Sequence, residues 1–147
     1  MEQEINYQEI LKARKAEEEK YLKMKPEVEL NGQIYRLKFD MYAYEQIEEQ
    51  YGGVKEAFSA LTGGKIIENV KKLFAILVNC QRDADGMPAN ATGDEIPRHA
   101  SIAKVLEINE AIKAAIYQGR HAETVPGGPA SDKKLNPIEA EYEAKNG

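Results

Sequence analysis

Asn31-Gly32 constrains this 147-residue chain more than any other pair of residues. A type I′ turn demands positive φ at two successive positions, which Asn tolerates and Gly adopts freely. The flanks alternate as strands do. Val28 and Leu30 precede the turn; beyond it Ile34, Arg36 and Lys38 take one side, and Tyr35, Leu37 and Phe39 the other. This period of two predicts a hairpin of roughly 27–31 paired with 33–39, one face buried. A two-stranded hairpin is marginal alone, so helices must cover its apolar face. The predicted fold class is α+β: a β-hairpin packed on a small helical bundle, with a helical N-terminal arm and a flexible C-terminal tail.

Helical periodicity follows at once. Asp40 is placed to cap a helix of about 41–51, since its carboxylate can accept from free backbone N–H groups. Ala43, Ile47 and Tyr51, with Tyr44 beside them, fall at helical spacing, and Gly52 supplies a left-handed stop. Val54, Ala57, Phe58 and Leu61 mark a second helix of about 54–62, closed by Gly63-Gly64. Ile66, Ile67, Val70, Leu73, Phe74, Leu77 and Val78 make the widest apolar stripe, on a helix of about 65–80. Ile102, Val105, Leu106, Asn109, Ile112 and Ile116, with Ala115 beside them, place a fourth over about 98–118, closed by Gly119. It packs on its own subunit or on a neighbour's. Asn109 reads as a satisfied or half-exposed amide, or as a register-setting residue in a helix–helix contact. Residues 26–119 form the predicted domain.

The flanks differ in kind. Residues 1–25 are rich in Glu, Lys, Arg and Gln, with i, i+4 pairs such as Glu19–Lys23. Ile5, Ile10, Leu11, Tyr21, Leu22 and Met24 are too scattered for a wide core-facing stripe. Two readings stand: an arm that grips a neighbouring subunit, or a solvated, fraying helix. Residues 120–147 lose periodicity, with a linker at Pro126-Gly127-Gly128-Pro129. Asn136-Pro137-Ile138-Glu139 is then a helix-start signature. Leu135 would act as a hydrophobic staple, and Ile138 and Tyr142 would share one face of a short helix of about 137–145. Such a segment cannot hold a helix alone; it folds on a partner, or stays a tail with a nascent turn.

Catalytic patterns are missing. His99 and His121 stand at opposite ends of a predicted helix ~30 Å long, too far apart to share a metal within one subunit. Gly63-Gly64-Lys65 lacks the spacing and the Ser or Thr of a phosphate-binding loop. The acidic residues Asp83, Asp85, Asp94 and Glu95 lie in a broken-periodicity stretch, 81–98. They fail calcium-loop spacing, because Gln81 and Thr92 would occupy the first and twelfth positions. Cys80 is the lone cysteine and reads as a semi-buried structural thiol. No catalytic, metal-binding or cofactor-binding residue is expected, and no enzyme. A net charge of −5 disfavours sequence-independent nucleic-acid binding, and no segment approaches the ~20 apolar residues of a membrane span. A soluble, intracellular protein is expected.

The run Leu30-Asn31-Gly32, Tyr35-Arg36-Leu37-Lys38-Phe39-Asp40-Met41, Ile47-Glu48-Glu49, Tyr51-Gly52-Gly53, Val70-Lys71-Lys72-Leu73 and Leu77-Val78 resembles the tail assembly chaperones of phages with long non-contractile tails and of related gene-transfer agents. The likeness covers the middle third to half of the chain; the N-terminal arm departs from it. It implies a protein of the bacterial host's cytoplasm that coats the tape-measure protein and keeps it soluble. Such a protein helps recruit tail-tube subunits, self-associates, and is absent from the mature virion. In that family a programmed ribosomal frameshift often extends a fraction of the chains, and Lys133-Lys134 is compatible with a slippery codon pair. The alternative expectation is a tail-completion or head–tail joining subunit retained in the virion. A small DNA-binding regulator ranks third, for want of a basic reading element.

Overall fold

A computed structural model of the chain describes residues 2–121, with side chains from Tyr7 onward. In order come α1 (Glu2–Lys23), β1 (Glu27–Leu30), β2 (Gln33–Arg36), α2 (Met41–Tyr51), α3 (Val54–Ala60), α4 (Ile66–Ala84) and α5 (Ile102–Arg120). Among the described residues the architecture is thus five helices and one antiparallel hairpin, broadly α+β.

The hairpin forms where its turn residues demand it. Asn31 and Gly32 take φ of 53° and 82°, and Leu30 pairs with Gln33 while Val28 pairs with Tyr35. The ladder is shorter than the alternation suggests. Past Arg36 one more bond keeps the hairpin register, the Leu37 amide donating to the Pro26 carbonyl at 2.8 Å, and the chain then turns to α4, the Lys38 amide donating to Leu77 at 3.1 Å. Leu37 and Phe39 remain buried, so the alternation tracks burial beyond the last pair of strand residues.

α2 begins and ends on local signals. Asp40 accepts from the Tyr42 amide, and Gly52, at φ 93°, closes the helix through its own amide to Glu48. α4 is the central element. Its Val70, Leu73, Phe74, Leu77 and Val78 are all buried against the hairpin and the other helices. Phe74 meets Tyr35 edge-on at 5.6 Å between centroids. Full burial of such side chains stabilises by about 1.5–3 kcal/mol each.

Several expectations need correction. Ile67 is exposed although it sits in the widest stripe. α4 runs to Ala84, one turn further than periodicity suggests. The left-handed residue before it is Lys65 (φ 62°), and the α3 cap is Leu61, so Gly63-Gly64 is a connection rather than a left-handed cap. α5 starts later, on a Ser101 side-chain cap, and its buried face is rotated. Ile102 and Leu106 face solvent, while Ile108, Ala111 and Ala114 are buried beside Val105, Ile112 and Ile116. The reason is that α5 is covered on one side by α4 and β1 and on another by α1. Gly119 does not close α5. It lies within the helix, where an added Cβ would stand 2.0 Å from the Phe39 carbonyl oxygen; close passage, not termination, requires glycine here.

The acidic stretch after α4 is also more than a surface loop. Asn79 clamps it at Ala91, accepting from the Ala91 amide at 2.7 Å and donating to its carbonyl at 2.9 Å. Ala91 and Ile96 are buried. Glu95 accepts from the Gly93 amide at 2.8 Å.

Candidate partner-binding surfaces

The only thiol is not reactive. Cys80 is buried and its Sγ donates to Asp40 Oδ1 at 2.9 Å. Burial first, then the neighbouring Asp40 carboxylate, pushes its pKa up to about 12. A thiol held in the neutral form is a poor nucleophile and a poor metal ligand. Among the described residues, no group of three or more His, Cys, Asp or Glu could hold a metal ion. No described helix is long and apolar enough to cross a membrane. His99 is exposed, in the connection before α5, and His121 caps the end of that helix.

A concave surface lies beside β2. A groove of about 370 Å³ is lined by Ile34, Tyr35 and Arg36 on one side and Val78, Arg82 and Met87 on the other, among others. The geometry follows from three elements meeting. β2 is held on α4 by Tyr35 and Phe74, the end of α4 brings Gln81 and Arg82 beside β2, and the chain after it returns past Met87 and Pro88. Arg82 lies over the Tyr35 ring at 5.9 Å and donates to Asn90 Oδ1 at 2.7 Å, which braces one wall. Ile34 and Met87 are each 57% exposed. Among the described residues β2 has a partner strand on one edge only, so the groove also borders an open strand edge able to pair with another chain.

A second surface is the arm. The foot of α1 is docked: Tyr21 is buried, stacks on Tyr117 at 5.2 Å, and donates to Glu110 at 2.8 Å. Lys20 reaches the same carboxylate at 2.6 Å. Gln118 donates to the Tyr21 carbonyl at 2.9 Å and to that of Met24. Burial and the Glu110 carboxylate raise the Tyr21 pKa. Burial works against the Glu110 charge, but the hydrogen bonds from Lys20 and Tyr21 outweigh it and lower that pKa. From residue 7 to 20, by contrast, every α1 side chain is exposed. The arm is therefore neither wholly solvated nor wholly packed.

Of the residues expected to bind a partner, Leu135, Ile138 and Tyr142 lie outside the described residues. The groove residues Ile34, Arg82 and Met87 escaped the sequence reading. One signal was available for Ile34: an isoleucine on the hairpin side otherwise occupied by Arg36 and Lys38. Asn109, expected as a satisfied or half-exposed amide or as a register-setting residue, is 8% exposed, and its Oδ1 has no hydrogen-bond partner among the described residues. Comparison with protein-family models, with curated proteins and with solved structures finds no match to this chain.

Proposed function

We propose that this chain is a tail assembly chaperone of the kind its sequence resembles. It binds the tape-measure protein in the bacterial cytoplasm, keeps it soluble, helps bring tail-tube subunits to it, and leaves before the virion is complete. It performs no catalysis and carries no cofactor. The observation that carries the reading is the groove beside β2. Ile34 and Met87 present apolar surface across a concavity with polar walls and an open strand edge. A long helical protein exposes apolar stripes that are aggregation hazards until covered, and a groove of this kind accepts the anchor side chains of such a helix. Weak contacts repeated along the partner sum by avidity, yet each can yield to tube subunits.

The test is co-expression with the tape-measure protein, reading its soluble fraction. The native chain is expected to raise that fraction, and Ile34→Asp with Met87→Asp to abolish the gain while leaving the domain folded. No gain from the native chain would sink the proposal. Mass spectrometry of purified particles addresses the alternative: a retained subunit would be present at stoichiometric level, a chaperone absent.

A further inference from the structure

The exposed part of α1 carries a stripe. Tyr7, Leu11, Arg14 and Lys15 follow the i, i+4, i+7, i+8 spacing that puts residues on one helix face, and all four are exposed. α2 shows solvent the same spacing. Met41, Glu45, Glu48 and Glu49 share its outer face, opposite the buried Ala43 and Ile47. Tyr7 is 62% and Met41 69% exposed. Laid side by side in the same direction, the two stripes match. Tyr7 falls beside Met41, Leu11 beside the methylenes of Glu45, and Arg14 and Lys15 beside Glu48 and Glu49. Among the described residues, none of these four charged side chains has an ion-pair partner within its own subunit.

The two stripes do not meet within one subunit, since α1 packs on α5 whereas α2 packs on α3 and α4. We infer that the α1 arm of one copy docks on the outer face of α2 of a second copy, with Arg14 and Lys15 paired to Glu48 and Glu49. The occupant is argued from charge. Two arms packed on each other in parallel would set Arg14 and Lys15 against themselves, a repulsive arrangement, whereas the α2 face opposes them with carboxylates. Arm length agrees: residues 7–15 span about 13 Å at 1.5 Å per residue, as do 41–49. The contact is heterologous, α1 to α2, so it propagates from copy to copy into a ring or an open helical array. It does not depend on the identity of any other partner.

The test is sedimentation velocity of the full chain alone, over a range of concentrations. In about 0.05 M salt the average mass rises with concentration, and in about 0.5 M salt it falls back to that of one chain as screening weakens the pairs. Arg14→Glu with Lys15→Glu, and separately Glu48→Lys with Glu49→Lys, each weaken association about tenfold; combining all four restores it. All four sites are exposed, and far-UV circular dichroism checks that each variant is folded. A single-chain mass at every concentration in low salt would overturn the inference. So would association that Glu48→Lys with Glu49→Lys leaves unchanged, or folded fourfold variants that stay apart. Because no tape-measure protein is present, failure here leaves the chaperone reading standing, and success does not prove it.

Discussion

α4 and α1 are similar in length and opposite in economy. α4 buries Val70, Leu73, Phe74, Ile76, Leu77 and Val78 within its own domain. From Tyr7 onward α1 buries a single large side chain, Tyr21, and leaves residues 7–20 to solvent. A helix that organises a core needs apolar residues on a wide face. A helix that reaches outward needs only an anchor at its base and helix-forming residues beyond it. The difference teaches where each helix draws its stability: α4 from tertiary packing, the outer turns of α1 from propagation off a fixed foot.

The largest effect that would break this comparison is at the centre of α4. Phe74→Ala is expected to cost about 4 kcal/mol, read by denaturant unfolding; a loss near that of a surface substitution would refute the central role given to α4. Next comes the foot of the arm. Tyr21→Ala is expected to cost about 3 kcal/mol and, unlike the α4 variant, to reduce helical content before the domain unfolds. A single transition with no early loss of helix would show the arm to be independent of that anchor.

A smaller effect is expected from pH. Glu110 titrates below its ordinary value when folded, so its contribution is present above the unfolded value of about 4.3 and is lost as pH falls through the folded one. Glu110→Gln is expected to flatten the acid limb of the stability profile in that window, by less than about 1 kcal/mol because the pairing is partly exposed. An unchanged acid limb would contradict it. The smallest effect sharpens the contrast. Leu11→Ala is expected to shift stability by under about 0.5 kcal/mol, while hydrogen exchange finds amides of residues 8–15 far less protected than those of 73–80.

The features legible in the sequence were those whose cause is local. Asn31-Gly32 dictates its turn from two residues, Asp40 caps α2 from within one helical turn, and Gly52 ends it by its own φ. The phase of α5 was not legible, because Ile102 and Leu106 are as apolar as Ile108 and Ile112. Where α4, β1 and α1 arrive, the last from ninety residues away, decides which are covered. Tyr21 was hidden for the same reason. One anchor produces no periodicity, and its partners Glu110, Tyr117 and Gln118 lie on a distant segment. The groove escaped because β2, the end of α4 and Met87 are adjacent in space only. Gly119 looked like a stop because glycine is read first as a terminator, when the Phe39 carbonyl was what excluded a side chain.

The Cys80–Asp40 contact has a practical consequence. A solitary thiol sealed within the fold is a built-in clock for its opening. An alkylating reagent can label it only when the packing around α4 parts, so the labelling rate counts openings of the central domain. A movement of the arm alone leaves that rate unchanged. Followed with and without a binding partner, one mass increment per chain would report how tightly the complex holds the domain shut.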